Sequence, residues 1–367
     1  MNNLHSSVRN DPRQATGYWP ELEAATLGSG TVLPLFHRYA WSQIQPEGST
    51  LRVPITGKTD ELLSVVVLQK DRSRILPGHY FLRLPHFGYG WPHDTWAPVI
   101  DTLTALARKD SRVLRLSVEV FLRDGKEALR EILQSKGFRQ VPARSYRHTL
   151  TMAVGESDET ILSTRKSLRK RLKEVEKIGA PVLALTEPQY APRLIELQQA
   201  AMLRSGGEFR VQDWPALLRL SSEHPELSRI VGLFPSADAT QPNDMLGFAW
   251  GCMHGDHAEY RAAGTAQLTG AIHRLPVSYP LLWDLLRWAR ENGASWFDLG
   301  GVTVDEGQED PLAGISAFKS TFSQTLEEVG EEWMLEPHPL RSAVARRLGQ
   351  TLSDAKAIMR GEEPRQQ

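Results

Sequence analysis

Apolar residues alternate or run together over Leu51–Thr56, Leu62–Gln69 and His79–Leu84, a pattern that predicts three strands. Ahead of them, after a polar tail to about Pro20, the spacing predicts a helix over Leu33–Gln43. The third strand is expected to stop where PHFGYGWPHD begins, because Gly88, Gly90 and Pro92 interrupt regular structure. Val99, Ile100, Leu103, Leu106 and Ala107 then recur at helical spacing over Trp96–Arg108. A strand over Val113–Val120 and a helix over Gly125–Ser135, closed by Gly137, complete this half.

The second half repeats the order. Strands are predicted over Leu227–Phe234, Met245–His254 and Ala258–Ala263, then a helix over Val277–Glu291, a strand over Trp296–Leu299 and a helix over Gly314–Phe322. Two copies of one α/β unit, each a mixed sheet with helices on its faces, account for the repeat. The 367 residues exceed one ordinary core and suit two domains, expected at 20–150 and 151–337. An amphipathic C-terminal helix, 338–360, is expected to pack back on the first half, with Val344, Leu348, Leu352 and Ile358 as its apolar positions. The helical stretches Pro188–Met202 and Gln212–Glu226 are short, broken by Ser205-Gly206-Gly207 and Pro215, so no long helical arm is expected.

Between the copies stands LSTRKSLRKRLKEVEKIG. Its apolar residues Ile161, Leu168, Leu172, Val175 and Ile178 share one helix face, which leaves Arg165, Arg169, Lys170 and Arg171 displayed. Such a face is either a solvated surface or a local basic patch; the net charge of −1 means a nucleic acid would have to be held by the patch. The single cysteine, Cys252, excludes an internal disulfide or a cysteine-built zinc site. With no apolar run of the ~20 residues a span needs, the expectation is a cytoplasmic protein. His254, His257 and His273 lack the paired spacing of a zinc motif, and no GxSxG, Walker or GxGxxG signature is present.

The candidate chemistry lies in SWFDLGGVTVDEGQEDPLAGISAFKSTF, Ser295–Phe322: an apolar strand, Gly300-Gly301, an acidic loop and a short helix carrying Lys319. Two glycines at a strand end let backbone approach a ligand closely, or simply make a tight turn. Asp298 is a site residue or a cap on that turn. Upstream, Arg261-Ala-Ala-Gly264-Thr-Ala266 has the RxxGxA pattern that resembles the acyl-CoA loop of GNAT acyltransferases.

Taken in order, YRAAGTA, the Val277–Gly301 stretch, the acidic loop and GISAFKSTF are similar to the second domain of the FemABX family. LPHFGYGWPHD and RKSLRKRLKEVEKIGAPV resemble its aromatic-glycine-proline segment and the basic helix that opens its second domain. The resemblance covers about Leu33 to Trp333 and implies two tandem GNAT-like domains in compact form. It implies an aminoacyltransferase that moves an amino acid from aminoacyl-tRNA to the side-chain amine of a peptidoglycan precursor, lipid-linked or UDP-linked, with peripheral contact to the membrane face. No cofactor is implied, because the activated ester carries the energy for the amide.

By the resemblance, Lys319 is the catalytic cation, with Gly300, Gly301 and Phe318 beside the substrate and Tyr89 and Trp91 lining a groove. Arg165, Arg169, Lys170 and Arg171 would meet tRNA, and Arg261 and Gly264 would bind substrate. The family's Asp-Pro proton acceptor is replaced here by Ser117-Val118, which leaves Glu119, on the same strand face as Ser117, as a substitute. Isolated Lys58 and Arg210 carry no motif. The alternatives are an acyl-CoA-dependent N-acyltransferase acting on an amino sugar or other amine, supported by RxxGxA, and a non-enzymatic copy that binds peptide or RNA.

Overall fold

The computed structural model describes residues 18–204, 212–303 and 313–359. Its strands are β1 (Thr50–Thr56), β2 (Leu62–Arg72), β3 (Tyr80–Gly88), β4 (Val113–Phe121), β5 (Arg139–Val141), β6 (His148–Ala153), β7 (Val182–Ala184), β8 (Ser228–Leu233), β9 (Gly247–Met253), β10 (His257–Thr265), β11 (Trp296–Gly301), β12 (Thr325–Glu328) and β13 (Gly330–Leu335). They form a six-stranded sheet, β1-β2-β3-β4-β13-β5, and a seven-stranded sheet, β12-β6-β11-β10-β9-β8-β7.

Both sheets follow one plan. Antiparallel strands lead to a parallel pair, β3 with β4 and β10 with β11, joined by the helices His93–Lys109 and Ser278–Glu291. A parallel pair needs such a crossover. Next to the crossover strand lies an antiparallel strand from elsewhere in the chain: β13 between β4 and β5, and β6 between β11 and β12. The chain after β5 thus enters the second sheet, and the chain after β12 enters the first.

The expected boundaries shift accordingly. One unit comprises residues up to Thr31, Gln45–Ser145 and the chain from Gly330 on; the other comprises Val32–Ile44 and Tyr146–Val329. The stretch 330–335, expected in the second domain, hydrogen-bonds into the first sheet. Its sequence GEEWML hides a central strand because Glu331 and Glu332 are buried against Arg130 and Arg144. Arg144 donates to Glu332 from Nε at 2.9 Å and Nη2 at 2.6 Å. The C-terminal helix, Pro339–Met359, lies on β4, with Ser342 Oγ donating to the Leu114 carbonyl at 2.7 Å.

Three local expectations also change. The helix over Leu33–Gln43 is a 3-10 turn, Leu35–His37, and a short helix, Tyr39–Gln43, separated by extended Arg38. Burial of Leu35, Phe36 and Trp41 in the second unit's core overrides the periodicity. Between the polar tail and that segment stands a helix that the spacing does not predict, Trp19–Gly28, with Pro20 in its first turn, where a missing N–H costs nothing. Finally, β3 continues past Leu84: pairing with β4 slips at Pro85-His86 and resumes at Phe87 opposite Val120. A bulge accommodates the proline.

Candidate active site

The parallel pair β10/β11 is short. His257 faces Trp296, Ala258 faces Phe297 and Glu259 faces Asp298, after which the strands part. Beyond that last pair β10 slips register against β9 between Tyr260 and Ala262, and β11 turns at Gly300 with φ of 77°. The gap between diverging strands leaves backbone groups without ladder partners. Lys319 fills it.

Lys319 comes from the helix Ala313–Ser320, is buried, and donates from Nζ to the Gly301 carbonyl at 2.7 Å. A Cβ on Gly300 would lie 2.9 Å from the Tyr260 carbonyl and 3.2 Å from Lys319 Nζ, so this position demands glycine for space as well as for φ. At Gly301 a Cβ would lie 2.5 Å from Tyr146 Cβ. The paired glycines therefore pack a buried lysine and a tyrosine against the turn. Phe318 and Phe322 meet Tyr279 edge-on and stacked, with centroids 4.9 and 5.8 Å away, and hold the helix in place.

Behind the lysine lies a buried polar network. Asp298 accepts from the Gly300 N–H at 2.6 Å, from the Tyr146 hydroxyl at 2.8 Å and from Thr149 Oγ1. Glu259 accepts from Arg261 at 2.9 Å and lies 3.1 Å from both the Tyr146 hydroxyl and His254 Nε2. The Leu35 N–H donates to His254 Nδ1 at 3.3 Å, which leaves Nε2 as the ring nitrogen that donates to Glu259. Tyr146 has one proton and two carboxylates within reach. It donates to one at a time, and Asp298 is the carboxyl of the two that takes up a proton more readily.

The electrostatics agree. Burial, followed by the charge of Glu259, pushes Asp298 up to about 6, while the hydrogen bonds from Thr149, Gly300 and Tyr146 resist. Burial pushes Glu259 up as well, yet Arg261 and His254 outweigh it and hold this carboxyl well below its usual range. Burial, with both carboxylates adding to it, keeps the Tyr146 phenol protonated. Burial lowers Lys319 to about 8, and the charges of Asp298 and Glu259 keep it from falling further. At neutral pH the amine is still mostly an ammonium, poorly solvated and with two further N–H groups to offer.

An open groove of about 290 Å³ sits between the end of β10 and the start of the helix Ser278–Glu291; Thr265, Leu275, Ser278, Tyr279 and Phe318 help line it. Among the described residues, its lining includes no lysine, arginine or carboxylate. The glycine of RxxGxA does not face it as a phosphate cradle: a Cβ on Gly264 would lie 2.5 Å from the Leu197 backbone carbon, on the helix Ala191–Arg204. Gly264 stands within β10, opposite Phe248 of β9. This glycine is required by helix-on-strand packing.

The remaining expected residues are dispersed. Arg261 reaches over the Phe36 ring, 5.4 Å from its centroid, while pairing with Glu259. Arg165 donates from Nε to the Phe322 carbonyl at 2.6 Å and so braces the turn that follows Lys319. Arg169, Lys170 and Arg171 are exposed on the helix Lys166–Glu176, with Arg171 paired to Glu174 at 3.2 Å, while Leu168 and Val175 bury on the other side. Glu119, Tyr89 and Trp91 belong to the first unit. Glu119 accepts from Arg83 at 2.9 Å. Tyr89 packs edge-on against Phe121. Trp91, expected to line a groove, is 3% exposed and donates to Ser64 Oγ at 3.0 Å, a core position. Arg210 and the acidic loop Asp305, Glu306, Glu309 and Asp310 lie outside the described residues.

Sequence reasoning missed Tyr146 and Thr149 as partners of Asp298, and Glu259 with His254 as the charged group beside it. One signal was available: HAEYRA places an acid and a base two apart on a strand, hence on one face.

No protein-family model and no curated protein sequence matches the chain. Among solved structures it is similar to FemX, with a TM-score of 0.68 and 15% identity over 89% of this chain and 98% of that one. It is also similar to L-PGS from Bacillus licheniformis, with a TM-score of 0.52 and 13% identity over 90% of this chain and 97% of that one. A C-terminal domain named for lysylphosphatidylglycerol synthetase, from Agrobacterium fabrum, gives 0.51 and 12%, over 94% and 97%. At these identities the likeness is one of fold. With two mixed sheets on one plan, each built round a single parallel pair, this chain has the tandem GNAT-like fold of FemX.

Proposed function

We propose that the protein is an acyltransferase of the aminoacyl-tRNA-dependent kind, moving an amino acid from the tRNA ester to the side-chain amine of a peptidoglycan precursor peptide. The observation that carries this reading is the buried Lys319 ammonium held against Gly301 where β10 and β11 part. In the reaction the acceptor amine attacks the ester carbonyl, a C–N bond forms, the carbonyl oxygen takes up negative charge, and the ribose oxygen leaves with a proton from the attacking nitrogen. A fixed cation in a water-poor site stabilises that oxyanion, an effect commonly worth ~3 kcal/mol. Lys319 supplies it. Glu259, Tyr146 and Asp298 anchor the turn that aims the lysine.

The exposed face Arg169, Lys170 and Arg171 lies on the helix that packs against Ser278–Glu291, and suits the tRNA backbone. The acyl-CoA reading is less well supported, because the described groove lining offers no lysine or arginine to a pyrophosphate and Gly264 is occupied by packing. The test is a transfer assay with purified protein, total aminoacylated tRNA and a precursor bearing a free side-chain amine, read by mass spectrometry. A tRNA-dependent mass gain of one or more residues is expected. Its absence, together with calorimetric binding of acetyl-CoA, would transfer the assignment to the acyl-CoA enzyme.

A further inference from the structure

The C-terminal helix Pro339–Met359 packs on one side only. Ser342 and Ala345 are buried, Ser342 bonded to the Leu114 carbonyl and Arg341 to the Ser111 carbonyl at 2.6 Å. Leu340, Val344 and Leu348 recur every fourth residue, on one stripe, and are 85%, 52% and 44% exposed. Three apolar side chains in line, the first almost wholly in water, form an exposed edge among the described residues of this helix.

The surroundings of the stripe are basic. The turn after β2 touches the same helix, since a Cβ on Gly349 would lie 2.7 Å from Ile75. That turn exposes Arg72 and Arg74, and the helix exposes Arg346 and Arg347. Against these arginines stand Asp71 and Glu336, the latter paired with Arg346. An apolar stripe with cations beside it matches a bilayer surface, where the side chains enter the acyl boundary and guanidinium groups meet anionic headgroups. A second copy of the chain fits less well. Three side chains fall far short of the ~800 Å² per partner of a stable interface, and two-fold pairing would set arginines against arginines.

We infer that the helix Pro339–Met359, with the Arg72–Arg74 turn beside it, docks the protein on an anionic membrane surface. The docking does not depend on the transfer reading; the corollary that the acceptor is lipid-linked rests on it.

The test is co-sedimentation of the full chain with vesicles of phosphatidylcholine alone and of phosphatidylcholine with phosphatidylglycerol, at low and high salt. Partition into the anionic vesicles is expected, weakened by salt and by omission of phosphatidylglycerol. Leu340→Glu should lower it by at least about tenfold, the value of one buried leucine. The double change Arg74→Glu and Arg347→Glu should lower it by a comparable factor, at about fivefold per charge. These side chains are exposed, so the melting temperature should stay constant. Reversal of Arg169, Lys170 and Arg171 should leave partition unchanged. Failure to bind anionic vesicles, binding that survives Leu340→Glu, or binding abolished by reversing the Arg169–Arg171 charges would each overturn the proposal. So would a wild-type dimer that Leu340→Glu converts to a monomer in light scattering, with no vesicle binding in either form. Vesicle binding without aminoacyl transfer would sink the function proposed above and leave the docking intact.

Discussion

The two parallel pairs begin alike and end differently. In the first sheet β3 and β4 stay paired from Tyr80 opposite Val113 to Gly88 opposite Phe121, slipping between Tyr80 and Phe81 and again at Pro85-His86. In the second, β10 and β11 separate after Glu259 and Asp298. The carboxylates differ in the same sense. Glu119 is partly open to solvent and shares its charge with Arg83, whereas Asp298 and Glu259 are sealed from water with one tyrosine hydroxyl between them. One plan of strands therefore yields a closed sheet in one unit and a charged notch in the other. What distinguishes them is where pairing stops, because only an unpaired strand end leaves room for a side chain such as Lys319.

The sharpest way to break this contrast is to empty the notch. Lys319→Met should lower kcat for transfer by ~100- to 1000-fold with little change in KM, measured with saturating aminoacyl-tRNA. An equal loss in KM would make the lysine a binding group instead. Next in size is Gly300→Ala. A Cβ there meets the Tyr260 carbonyl and Lys319 Nζ at a φ that L residues resist, so a loss of about 1–3 kcal/mol in thermal or denaturant unfolding is expected, with activity falling at least tenfold. Gly264→Ala should cost stability similarly, through the Leu197 backbone, and unfolding curves for both variants make the comparison.

The pH dependence sharpens the role of charge. Lys319 sits at about 8, below its usual value, so its positive charge disappears as pH rises through about 8 and kcat should fall there. Lys319→Arg, if active, should remove that alkaline limb. For stability the sign is the reverse: between about 8 and 10.5 the unfolded chain binds the extra proton, so this residue makes folding more favourable as pH rises.

Smaller effects follow from the residues behind the lysine. Tyr146→Phe deletes the hydroxyl that bonds ionised Asp298, which should push Asp298 above its present value of about 6 and move the acid limb of kcat upward. At pH 7 the loss should be about fivefold, the effect of ~1 kcal/mol. An unchanged acid limb would reduce Tyr146 to a packing residue against Gly301. Smallest should be Glu119→Gln in the other unit: transfer within about twofold of wild type, and about 1 kcal/mol of stability from the partly buried ion pair. A loss as large as that of Lys319→Met would return the proton acceptor to Glu119.

Much of the fold was legible because its strongest signals are local. Helices such as His93–Lys109 and Ser278–Glu291 repeat apolar residues every three to four positions, and the strands they feed are mostly apolar. The strands that escaped notice, β5, β6, β7, β12 and β13, are short or polar, and all but β7 pair with strands far away in sequence. Glu331 and Glu332 look like surface residues until Arg130 and Arg144 are placed beside them. The same holds at the site.

The chain's own order of residues determined the repeat of two α/β units, the turn at Gly300-Gly301, the placing of Lys319 one short helix beyond it and the basic face of Lys166–Glu176. All of these follow from periodicity, glycine and charge over a few neighbouring positions. Only the tertiary structure decided that Gly264 serves a helix rather than a phosphate, that Trp91 is core, and that Tyr146 stands between Asp298 and Glu259. Those outcomes depend on contacts across as many as 152 residues of chain. Burial, moreover, sets the pKa of each partner, and a linear sequence does not specify which side chains will share a proton.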